Sequence, residues 1–486
     1  MPIRFHNTLT RRVEAFTPAV PGEVRMYNCG PTVYSSPHVG NFRTFLLADL
    51  LRRLLEWKGF KVTQVMNLTD VGHLLDDAEE GEDKLEAAAR KAKLTAWQVA
   101  ERYIAEFFAS LDHLSFRRAH HFPRATDHLP EMIAMISELV ARGIAYVAPS
   151  GNVYFEIAKF PGYGRLSGNT AEALEAGARV EVNPEKRDPR DFALWKIDPR
   201  HQMQWDSPWG RGFPGWHIEC SAMSKKYLGA TLDLHTGGED NVFPHHECEI
   251  AQSEAANDRP FVRHWLHVRH LLVDGAKMSK RLGNVHTILG LKERGHSGDA
   301  LRIALQKAHY REPLNFTLAG LDEAERKAAR YRDVAARLGS AAEPGGAGGG
   351  GADARRSALR EGFSAALEDD LNVSVALAHL DESVSEVNRL KPSGAEAAAW
   401  LSLLREMWSV FGLLEDGAEP TLEPHVLELA RERWRARARK DYAAADRARD
   451  ALAKLGFREI QDTPTGMSLV CARGTITISA PLLGAP

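Results

Sequence analysis

The spacing of apolar residues predicts a strand–helix–strand unit close to the start of the chain. Residues 24–27 alternate as in a β-strand, and the glycine and proline at 30–31 end that strand. Over residues 41–58, apolar side chains recur near the helical period, and Gly59 follows where a helix end favours glycine. Residues 61–66 then have the pattern of a second strand. A β-α-β order of this kind indicates a parallel sheet.

The pattern changes several times along the rest of the chain. Residues 95–145 have a helical pattern of apolar side chains, the first of which is Trp97. Residues 150–215 instead have the pattern of short strands separated by proline and glycine turns. Alternating strand and helix patterns return over residues 216–273, which indicates that the middle stretch is an insertion between two halves of one sheet. The C-terminal part is helical almost throughout, interrupted by a glycine-rich tract at 344–351 that we interpret as a loop or hinge.

The composition is that of a globular protein of several domains. With 486 residues, 44% hydrophobic and 26% charged, the chain is expected to hold about three domains. No apolar run approaches the roughly 18 residues of a membrane span, and the first residues lack the apolar core of a signal peptide. We therefore expect a cytoplasmic protein without a membrane partner. Its four cysteines are too few for a disulfide scaffold, which favours metal or catalytic roles for them.

The charge is balanced except near the C-terminus. The formal net charge is −3, so the chain as a whole gives no indication of a nucleic-acid partner. Residues 431–458 instead hold ten Lys or Arg against four Asp or Glu. We interpret this segment as a candidate nucleic-acid surface, with an ordinary solvated helix as the alternative.

Two short motifs have the composition of phosphate-binding sites. The first, residues 37–41, follows the first strand and opens the helix, where unpaired backbone N–H groups favour an anion. Gly40 would let a nucleotide approach the backbone, and His38 and Asn41 can donate to phosphate oxygens. An ordinary capped helix is the alternative reading of these residues.

The second motif is Lys-Met-Ser-Lys-Arg at residues 277–281. Lys277 and Lys280 suit a leaving pyrophosphate, because fixed cations stabilise the charge that develops there. A basic segment of this kind, taken alone, is more often a solvated loop. The two motifs together, in this order, are far more specific than either one.

In this combination the two motifs resemble the signature motifs of class I aminoacyl-tRNA synthetases. Longer stretches that resemble the cysteinyl-tRNA synthetase family are residues 29–34, 215–223, 243–247, 299–302 and 440–446. The last two of these are similar to the family's helical-domain signature and anticodon-binding region. Asn41 and Arg281 depart from a common histidine and a common serine of the family. The glycine tract and the residues from Met467 onward do not match it.

The resemblance implies an α/β fold in several parts. These are a Rossmann-like parallel-sheet catalytic domain with an inserted connective domain, then a helical bundle and a small C-terminal α+β anticodon-binding domain. The expected boundaries are 1–125 and 215–265 for the two halves of the catalytic domain, 126–214 for the insertion, 266–298 for a stem region, 299–415 for the helical domain and 416–486 for the anticodon-binding domain.

Four residues distributed along the chain could hold a metal ion. Cys29 and Cys220 each lie beside a predicted strand, and His245 and Glu249 are four positions apart on one helical face. Two thiolates, an imidazole and a carboxylate suit zinc. The spacing alone leaves residues 246–248 as rival ligands and buried, unreactive thiols as the alternative. The resemblance implies one zinc ion per chain on the first four, which would separate cysteine from serine without an editing domain.

The resemblance and the motifs together assign the remaining site residues. The expected catalytic residues are His38, Asn41, Lys277 and Lys280. The expected ATP-binding residues are these four with Gly40, Gly237, Gly238, Asp240, Met278 and Ser279. The expected cysteine pocket is Thr69, Trp216 and His235, and the expected anticodon contacts are Arg437, Asp446 and Asp462.

The expected reaction is the activation of L-cysteine by ATP to cysteinyl-adenylate, with release of pyrophosphate and with Mg²⁺ on the phosphates. Transfer of cysteine to the 3′ end of tRNA(Cys) follows. The partners are thus ATP, L-cysteine and tRNA(Cys), and we expect a monomer. One alternative is a related ligase that joins cysteine to an amino sugar and has no use for an anticodon-reading segment. The other is a zinc-containing RNA-binding protein without catalysis.

Overall fold

The computed structural model describes most of the chain, which forms two compact units. The described residues are 2–71, 83–169, 183–278, 282–342, 350–415, 424–455, 457–463, 466–471 and 474–479. The first unit consists of residues 1–290 and 298–413, and the second of residues 291–297 and 414–486. Among the described residues, no helix is long and apolar enough to cross a membrane.

The strands of the first unit are β1 (Arg4–Asn7), β2 (Arg12–Ala15), β3 (Glu23–Asn28), β4 (Lys61–Met66), β5 (Ala145–Val147), β6 (Val153–Phe155), β7 (Phe192–Lys196), β8 (Phe213–Pro214), β9 (Leu232–Gly238), β10 (Val262–Val268), β11 (Leu271–Val273), β12 (Ala276–Lys277) and β13 (Leu314–Phe316). The helices up to residue 413 are α1 (Val39–Trp57), α2 (Lys84–Ala92), α3 (Ala96–His113), α4 (Leu129–Ala141), α5 (Trp216–Leu228), α6 (Glu247–Asn257), α7 (Ile288–Glu293), α8 (Gly298–Gln306), α9 (Leu318–Ala341), α10 (Gly350–Glu368), α11 (Val373–Leu390) and α12 (Gly394–Phe411).

Four parallel strands form the central sheet, in the order β10-β9-β3-β4. The chain runs from β3 through α1 to β4 on one side, and from β9 through α6 to β10 on the other. The direction of winding therefore reverses between β3 and β9. Open parallel sheets bind ligands outside the carboxyl ends of their strands at such a reversal. The residues that follow Asn28 and Gly238 thus border one crevice.

The sequence pattern predicted the first part of this sheet correctly. The predicted strand at 61–66 is β4, and the helix predicted over 41–58 is α1 with its start at Val39. Gly59 follows this helix with a φ of 89°, in the left-handed region that favours glycine. The predicted mixed α/β architecture with a parallel core is confirmed.

Two expectations need correction. The helical pattern over 95–145 covers α3 and α4, but residues 114–123 between them are not helical and Ala145–Val147 is a strand. The apolar pattern continued through these segments because they also pack against the core. The loop predicted at 344–351 ends earlier than expected, since Gly350 already begins α10, and residues 343–349 lie outside the described part.

The stretch predicted as an insertion contains a separate antiparallel sheet. Its strands follow the order β5-β6-β7-β8, and all neighbouring pairs are antiparallel. Tyr146, Tyr154 and Ala193 pack together in it. The hydroxyl of Tyr146 donates to Asp191 at 2.8 Å, which ties the strand β5 to the turn before β7. The last strand, β8, leads directly into α5 and so returns the chain to the central sheet.

A buried ion network joins α1 to the helices that follow the central sheet. Asp49 of α1 is buried and forms ion pairs with Arg53, at 2.7 Å, and with Arg302 of α8. The two guanidinium groups also donate to backbone oxygens at the end of α12, Arg53 to Ser409 at 2.9 Å and Arg302 to Phe411 at 2.6 Å. Burial raises the pKa of Asp49, but the two arginine charges bring it below its ordinary value. The carboxylate therefore stays charged and fixes the helical part on the sheet.

The second unit contains α13 (Pro424–Ala438), α14 (Tyr442–Lys454), β14 (Phe457–Thr463), β15 (Gly466–Cys471) and β16 (Gly474–Ser479). The three strands form an antiparallel sheet in chain order. Apolar side chains from both helices and all three strands form its core, among them Ala430, Leu452, Met467 and Ile478. The unit is therefore a small α+β module, as expected, and the largely helical C-terminal pattern missed its strands.

Candidate active site and metal centre

A cleft of about 690 Å³ opens at the carboxyl ends of β3 and β9. Its walls come from the turn after β3, the first turn of α1, the turn after β9 and the hairpin of β11 and β12. The residues predicted from the sequence that line it are Cys29, His38, Gly40, Asn41, Thr69, Trp216, Gly238, Asp240, His245, Lys277 and Met278. The fold thus brings both phosphate-binding motifs and part of the predicted metal group into one cleft.

The first turn of α1 is built to receive an anion. His38 is the N-cap residue, and its Nδ1 accepts a hydrogen bond from the backbone N–H of Asn41 at 3.3 Å. The side-chain oxygen of Asn41 accepts in return from the backbone N–H of His38 at 3.1 Å. This reciprocal capping fixes both side chains at a helix N-terminus, whose dipole favours negative charge. The first turn contains no acidic residue that would oppose a phosphate.

The two phosphate-binding motifs contact each other. A β-carbon at position 40 would lie 2.9 Å from Cε of Met278 and 3.2 Å from the ring of His38, so Gly40 is what allows this approach. The backbone N–H of Val39 also donates to the carbonyl of His286 at 2.9 Å. The start of α1 is therefore in contact with the second motif at Met278 and with the chain that follows the motif at His286.

Lys277 is the last residue of the β11–β12 hairpin and lines the cleft. The turn of this hairpin is made by Asp274 and Gly275, with φ of 50° and 77°. A short hairpin of this kind fixes the backbone that presents the lysine. Ser279 and Lys280, which the sequence also assigned to ATP, lie outside the described residues.

The four predicted metal ligands converge behind the cleft from separate elements. Cys29 follows β3, Cys220 lies in α5, His245 lies in the turn Val242–His246, and Glu249 lies in α6. All four are buried, and their ligand atoms lie within 4.8 Å of one another. Nε2 of His245 is 3.1 Å from Oε1 of Glu249, as their spacing predicted. Two sulfurs, one nitrogen and one oxygen at these distances could hold a single metal ion.

The charges in this group favour a cation. Burial raises the pKa of Glu249, but the charge and hydrogen bond of His235 and the hydrogen bond of His245 hold it at about 2. Burial and the neighbouring Cys220 raise the pKa of Cys29 well above its ordinary value. Burial also acts to raise the pKa of Cys220, yet hydrogen bonds from Cys29 and His245 lower it to about 6. Burial acts to lower the pKa of His245, but its contacts with Cys220 and Glu249 raise it to about 10. An imidazolium proton thus supplies positive charge beside the carboxylate and the thiolate, and a metal ion would take the place of that proton.

His246 remains a rival ligand in the geometry, as it was in the sequence. Cys29, His235, His246 and Glu249 form a second buried group with ligand atoms within 4.8 Å of one another. Nε2 of His246 is 3.2 Å from Sγ of Cys29, and its Nδ1 is 2.7 Å from Nε2 of His267. Burial and the surrounding histidines lower the pKa of His246 well below its usual range, so its ring is neutral.

Glu247 and Cys248, the other two rival ligands, are excluded because their side chains contact residues outside the metal group. Glu247 accepts hydrogen bonds from the backbone N–H groups of Leu166 and Ser167, at 3.4 and 2.8 Å. Cys248 is buried with its sulfur 3.4 Å from the hydroxyl of Tyr163. Cys248 therefore packs against a residue of the insertion.

The residues predicted for the cysteine pocket differ in their positions. Thr69 lines the cleft, and its hydroxyl donates to the buried carboxyl group of Glu219 at 2.9 Å. Trp216 also lines the cleft and packs against His245, with ring centroids 4.3 Å apart and the ring planes tilted by 31°. His235 is fully buried behind them, with Nε2 3.0 Å from Glu249. Glu219 lies in the stretch 215–223 that resembles the family, but its spacing assigned it no role, because its partner Thr69 is distant along the chain.

Some residues of the turn after β9 line the cleft, and others pack against the buried histidines. Gly238 and Asp240 line the cleft on the side expected for the nucleotide. Gly237 does not line it, and a β-carbon there would lie 2.5 Å from the ring of His246. The absence of a side chain at position 237 therefore makes room for His246.

The residues predicted to contact an anticodon all lie in the second unit. Arg437 is exposed in the last turn of the arginine-rich helix α13, whereas Arg433 is buried, so these two arginines lie on different faces of the helix. Asp446 is exposed on α14, 3.0 Å from Arg449. Asp462 lies in β14.

The fold and the cleft define a class I aminoacyl-tRNA synthetase. Residues 15–326 match the family described as tRNA synthetases class I (C) catalytic domain, and residues 362–415 match the DALR domain. A solved methionyl-tRNA synthetase of Mycobacterium tuberculosis, in complex with methionyl-adenylate, has the same fold. It aligns with a TM-score of 0.56 at 15% identity, over 80% of this chain and 89% of that chain.

Curated relatives narrow the assignment. The cysteine–tRNA ligase of Thermus thermophilus is 46% identical over 484 residues, covering 96% of this chain and 98% of the relative. The cysteine–tRNA ligase of Symbiobacterium thermophilum is 44% identical over 478 residues, covering 96% of this chain and 99% of the relative. The chain belongs to the cysteine–tRNA ligase family, which confirms the resemblance found in its motifs.

We expect the purified protein to contain bound divalent metal, and Cys220→Ala to lose most of it, because removing one sulfur leaves three ligands. Cys248→Ala is the matched control, since this thiol is equally buried one residue from Glu249 but belongs to neither candidate group. Elemental analysis after desalting measures metal per chain for the three proteins. A Cys220→Ala protein that keeps its full metal content would show that Cys220 is not a ligand.

Proposed function

We propose that this chain is a cysteine–tRNA ligase that uses ATP to form cysteinyl-adenylate and then acylates the 3′ end of tRNA(Cys). One observation carries the proposal. A buried Cys-Cys-His-Glu group and the capped N-terminus of α1 border the same cleft at the reversal point of the sheet. One end of the cleft is thus suited to a thiol and the other to phosphates.

We assign zinc to Cys29, Cys220, His245 and Glu249, one ion per chain. The donor set fits, because zinc in proteins takes four ligands of sulfur, nitrogen and oxygen. When bound there, zinc supplies an affinity for thiolate sulfur that the hydroxyl of serine does not satisfy. His235 serves this group by holding Glu249 in place, and this supports a positioning role for it in the cysteine pocket.

Thr69 and Trp216 complete the proposed cysteine pocket. Both line the cleft beside His245, and the hydrogen bond to Glu219 fixes the hydroxyl of Thr69. The indole of Trp216 packs against the ring of His245 and forms part of the wall of the proposed pocket. A substrate bound there has its carboxylate free to point toward the phosphate end of the cleft.

The activation step needs positioning and charge neutralisation rather than a general base, since the carboxylate of cysteine is already ionised near neutral pH. His38 and Asn41 hold phosphate oxygens at the start of α1, where Gly40 admits the nucleotide. Gly238 and Asp240 lie on the adenosine side, with Gly237 behind them. Lys277, followed by Met278, Ser279 and Lys280, neutralises the leaving pyrophosphate, with Mg²⁺ on the phosphates.

The second unit supports tRNA as the acceptor. An α+β module with an arginine-rich helix has a use in reading RNA and none in the acylation of an amino sugar. A phosphate-binding cleft of this kind also has no role in a protein that only binds RNA. We infer that Arg437, Asp446 and Asp462 contact the anticodon, and that the enzyme is a cytoplasmic monomer.

The proposal is tested by charging purified tRNA(Cys) with radiolabelled cysteine. We expect the wild-type protein to charge it and Lys277→Ala to form adenylate about 100-fold more slowly, with little change in cysteine affinity. Loss of this cation removes charge neutralisation that is needed mainly in the transition state.

Lys61→Ala is the control for that variant. It removes the same charge from the opposite end of the parallel sheet, where β4 begins. Single-turnover adenylate formation should be unchanged by it. A wild-type protein that activates cysteine but charges no tRNA would contradict the proposed acceptor, and a Lys277→Ala protein altered only in cysteine affinity would contradict the role of the lysine.

We expect Asp446→Ala to weaken charging of tRNA(Cys) more than charging of the same tRNA with a changed anticodon. A carboxylate can read base edges but repels phosphates, so its effect should depend on sequence. Arg431→Ala should weaken both tRNAs about equally and reduce the salt dependence. Removal of residues 416–486 should lower charging sharply while sparing cysteine activation.

Asp450→Ala is the matched control, because Asp446 and Asp450 both contact Arg449, at 3.0 and 3.3 Å. The Asp450→Ala protein shows how much charging is lost when Arg449 loses one ion pair on the same helix. Charging assays with the two tRNAs at two salt concentrations separate these effects. Equal losses for both tRNAs in the Asp446→Ala protein would exclude anticodon reading by this residue.

A further inference from the structure

Trp97 is exposed in a structure that buries most of its large side chains. Almost half of its surface is accessible, 49%, and its neighbour Leu94 is 38% exposed. The sequence pattern placed Trp97 on the apolar face of its helix, and this is wrong, because Val99 and Ala100 of α3 face the core instead. An outward-facing tryptophan calls for an explanation, since its exposed indole gains nothing from folding.

The backbone beneath Trp97 is firmly fixed. Thr95 is the N-cap of α3, and its hydroxyl accepts from the N–H of Gln98 at 3.2 Å. The side chain of Gln98 accepts in return from the N–H of Thr95 at 2.9 Å. The indole therefore projects from a capped first helical turn rather than from a loose loop, which makes it a preorganised contact surface.

The surroundings of Trp97 are basic. Arg90 and Lys91 occupy the exposed last turn of α2, and Lys93 follows in the connection to α3. The nearest carboxylates along these helices are engaged elsewhere. Glu86 accepts from the backbone N–H of Gln202 at 2.6 Å, and Glu101 pairs with Arg124.

Helix α2 connects the basic residues near Trp97 to the cleft. Lys84, the first residue of α2, lines the cleft with its ammonium group 5.7 Å from the ring centre of Tyr34. The nine residues of α2 rise by about 13 Å at 1.5 Å per residue. The basic last turn and Trp97 therefore lie about one short helix away from the mouth of the cleft.

We propose that the unpaired 3′ end of the RNA substrate binds to a surface that we call the α2–α3 platform. This platform consists of Arg90, Lys91, Lys93, Leu94 and Trp97. The inference rests on the proposed function, which places the 3′ hydroxyl in the cleft. The nucleotides that precede it must then leave over the rim of the cleft. A base stacks on the indole of Trp97, and the three cations hold the phosphates on either side.

The charge and shape of the platform favour single-stranded RNA over a protein partner. Proteins that bind single strands combine aromatic side chains, on which bases stack, with cations that follow the backbone. A protein interface would need a larger apolar area, and here one indole and one leucine stand among three cations. Residues 76–82, just before α2, are acidic and would repel RNA phosphates. We therefore expect the RNA to bind at the C-terminal end of α2 and at Trp97.

The test compares the binding of two RNAs, intact tRNA(Cys) and the same tRNA without its last four nucleotides. Trp97→Ala should weaken binding of the intact RNA about tenfold and leave the shortened RNA unaffected, because only the intact RNA reaches the platform. Trp97→Phe should keep most of the affinity, since a phenyl ring also stacks. Lys91→Glu together with Lys93→Glu should weaken the intact RNA and reduce its salt dependence.

Cysteine-dependent exchange between ATP and pyrophosphate, measured on the same proteins, separates this proposal from the proposed function. The Trp97→Ala protein should match the wild type in that assay, because Trp97 does not line the cleft. Absence of exchange in the wild type would contradict the proposed function, whereas the RNA comparison tests the platform by itself. Equal weakening of both RNAs by Trp97→Ala, or no weakening of either, would overturn the platform. So would a dimer of the wild type that Trp97→Ala disperses.

Discussion

The buried carboxylate of Glu249 is the constraint on which the active site depends. A carboxylate removed from water is costly unless it is hydrogen-bonded and near positive charge. Glu249 meets this requirement through His235 on β9 and His245 in the turn before α6, at 3.0 and 3.1 Å. Its pKa is held at about 2, so the carboxylate is charged near neutral pH. The end of β9 and the start of α6 are therefore fixed with respect to each other.

The same requirement explains why the site forms only when the divided sheet is complete. Cys29 comes from the first half of the sheet, and Cys220 and Glu249 come from the second, beyond the inserted antiparallel sheet. Each thiol changes the pKa of the other across this division. The first half also supplies the phosphate end of the cleft at the start of α1. The proposed thiol end and the proposed phosphate end of the cleft therefore lie at the reversal point of one sheet.

The fold was largely predictable because its local signals agree with its long-range contacts. The strand–helix–strand unit at the start follows from periodicity alone, and the two phosphate-binding motifs keep their expected places at the cleft. The order of the central strands was not predictable, because nothing local places β9 beside β3. The largely helical C-terminal pattern likewise missed the strands of the second unit, which pair with one another and not with the central sheet.

The sequence predicted four candidate ligands that the structure brings together, but it did not predict their surroundings. Spacing put His245 and Glu249 on one face, yet it could not decide against His246, which also lies within ligand distance of Cys29. Spacing assigned Glu219 no role, because the hydrogen bond that gives it one joins residues far apart in sequence. Trp97 was misplaced because periodicity identifies an apolar residue and not the neighbour that would cover it.

We expect selection of the proposed substrate to rest on the metal group rather than on pocket size. Calorimetric titration with cysteine and with serine, before and after removal of metal by a chelator, tests it most directly. The metal-loaded protein should prefer cysteine by more than the roughly 100-fold that an apolar pocket achieves between near-isosteres. After chelation most of that preference should disappear. A metal-free protein that discriminates between the two amino acids as strongly as the metal-loaded protein does would contradict the role of the metal group in selection.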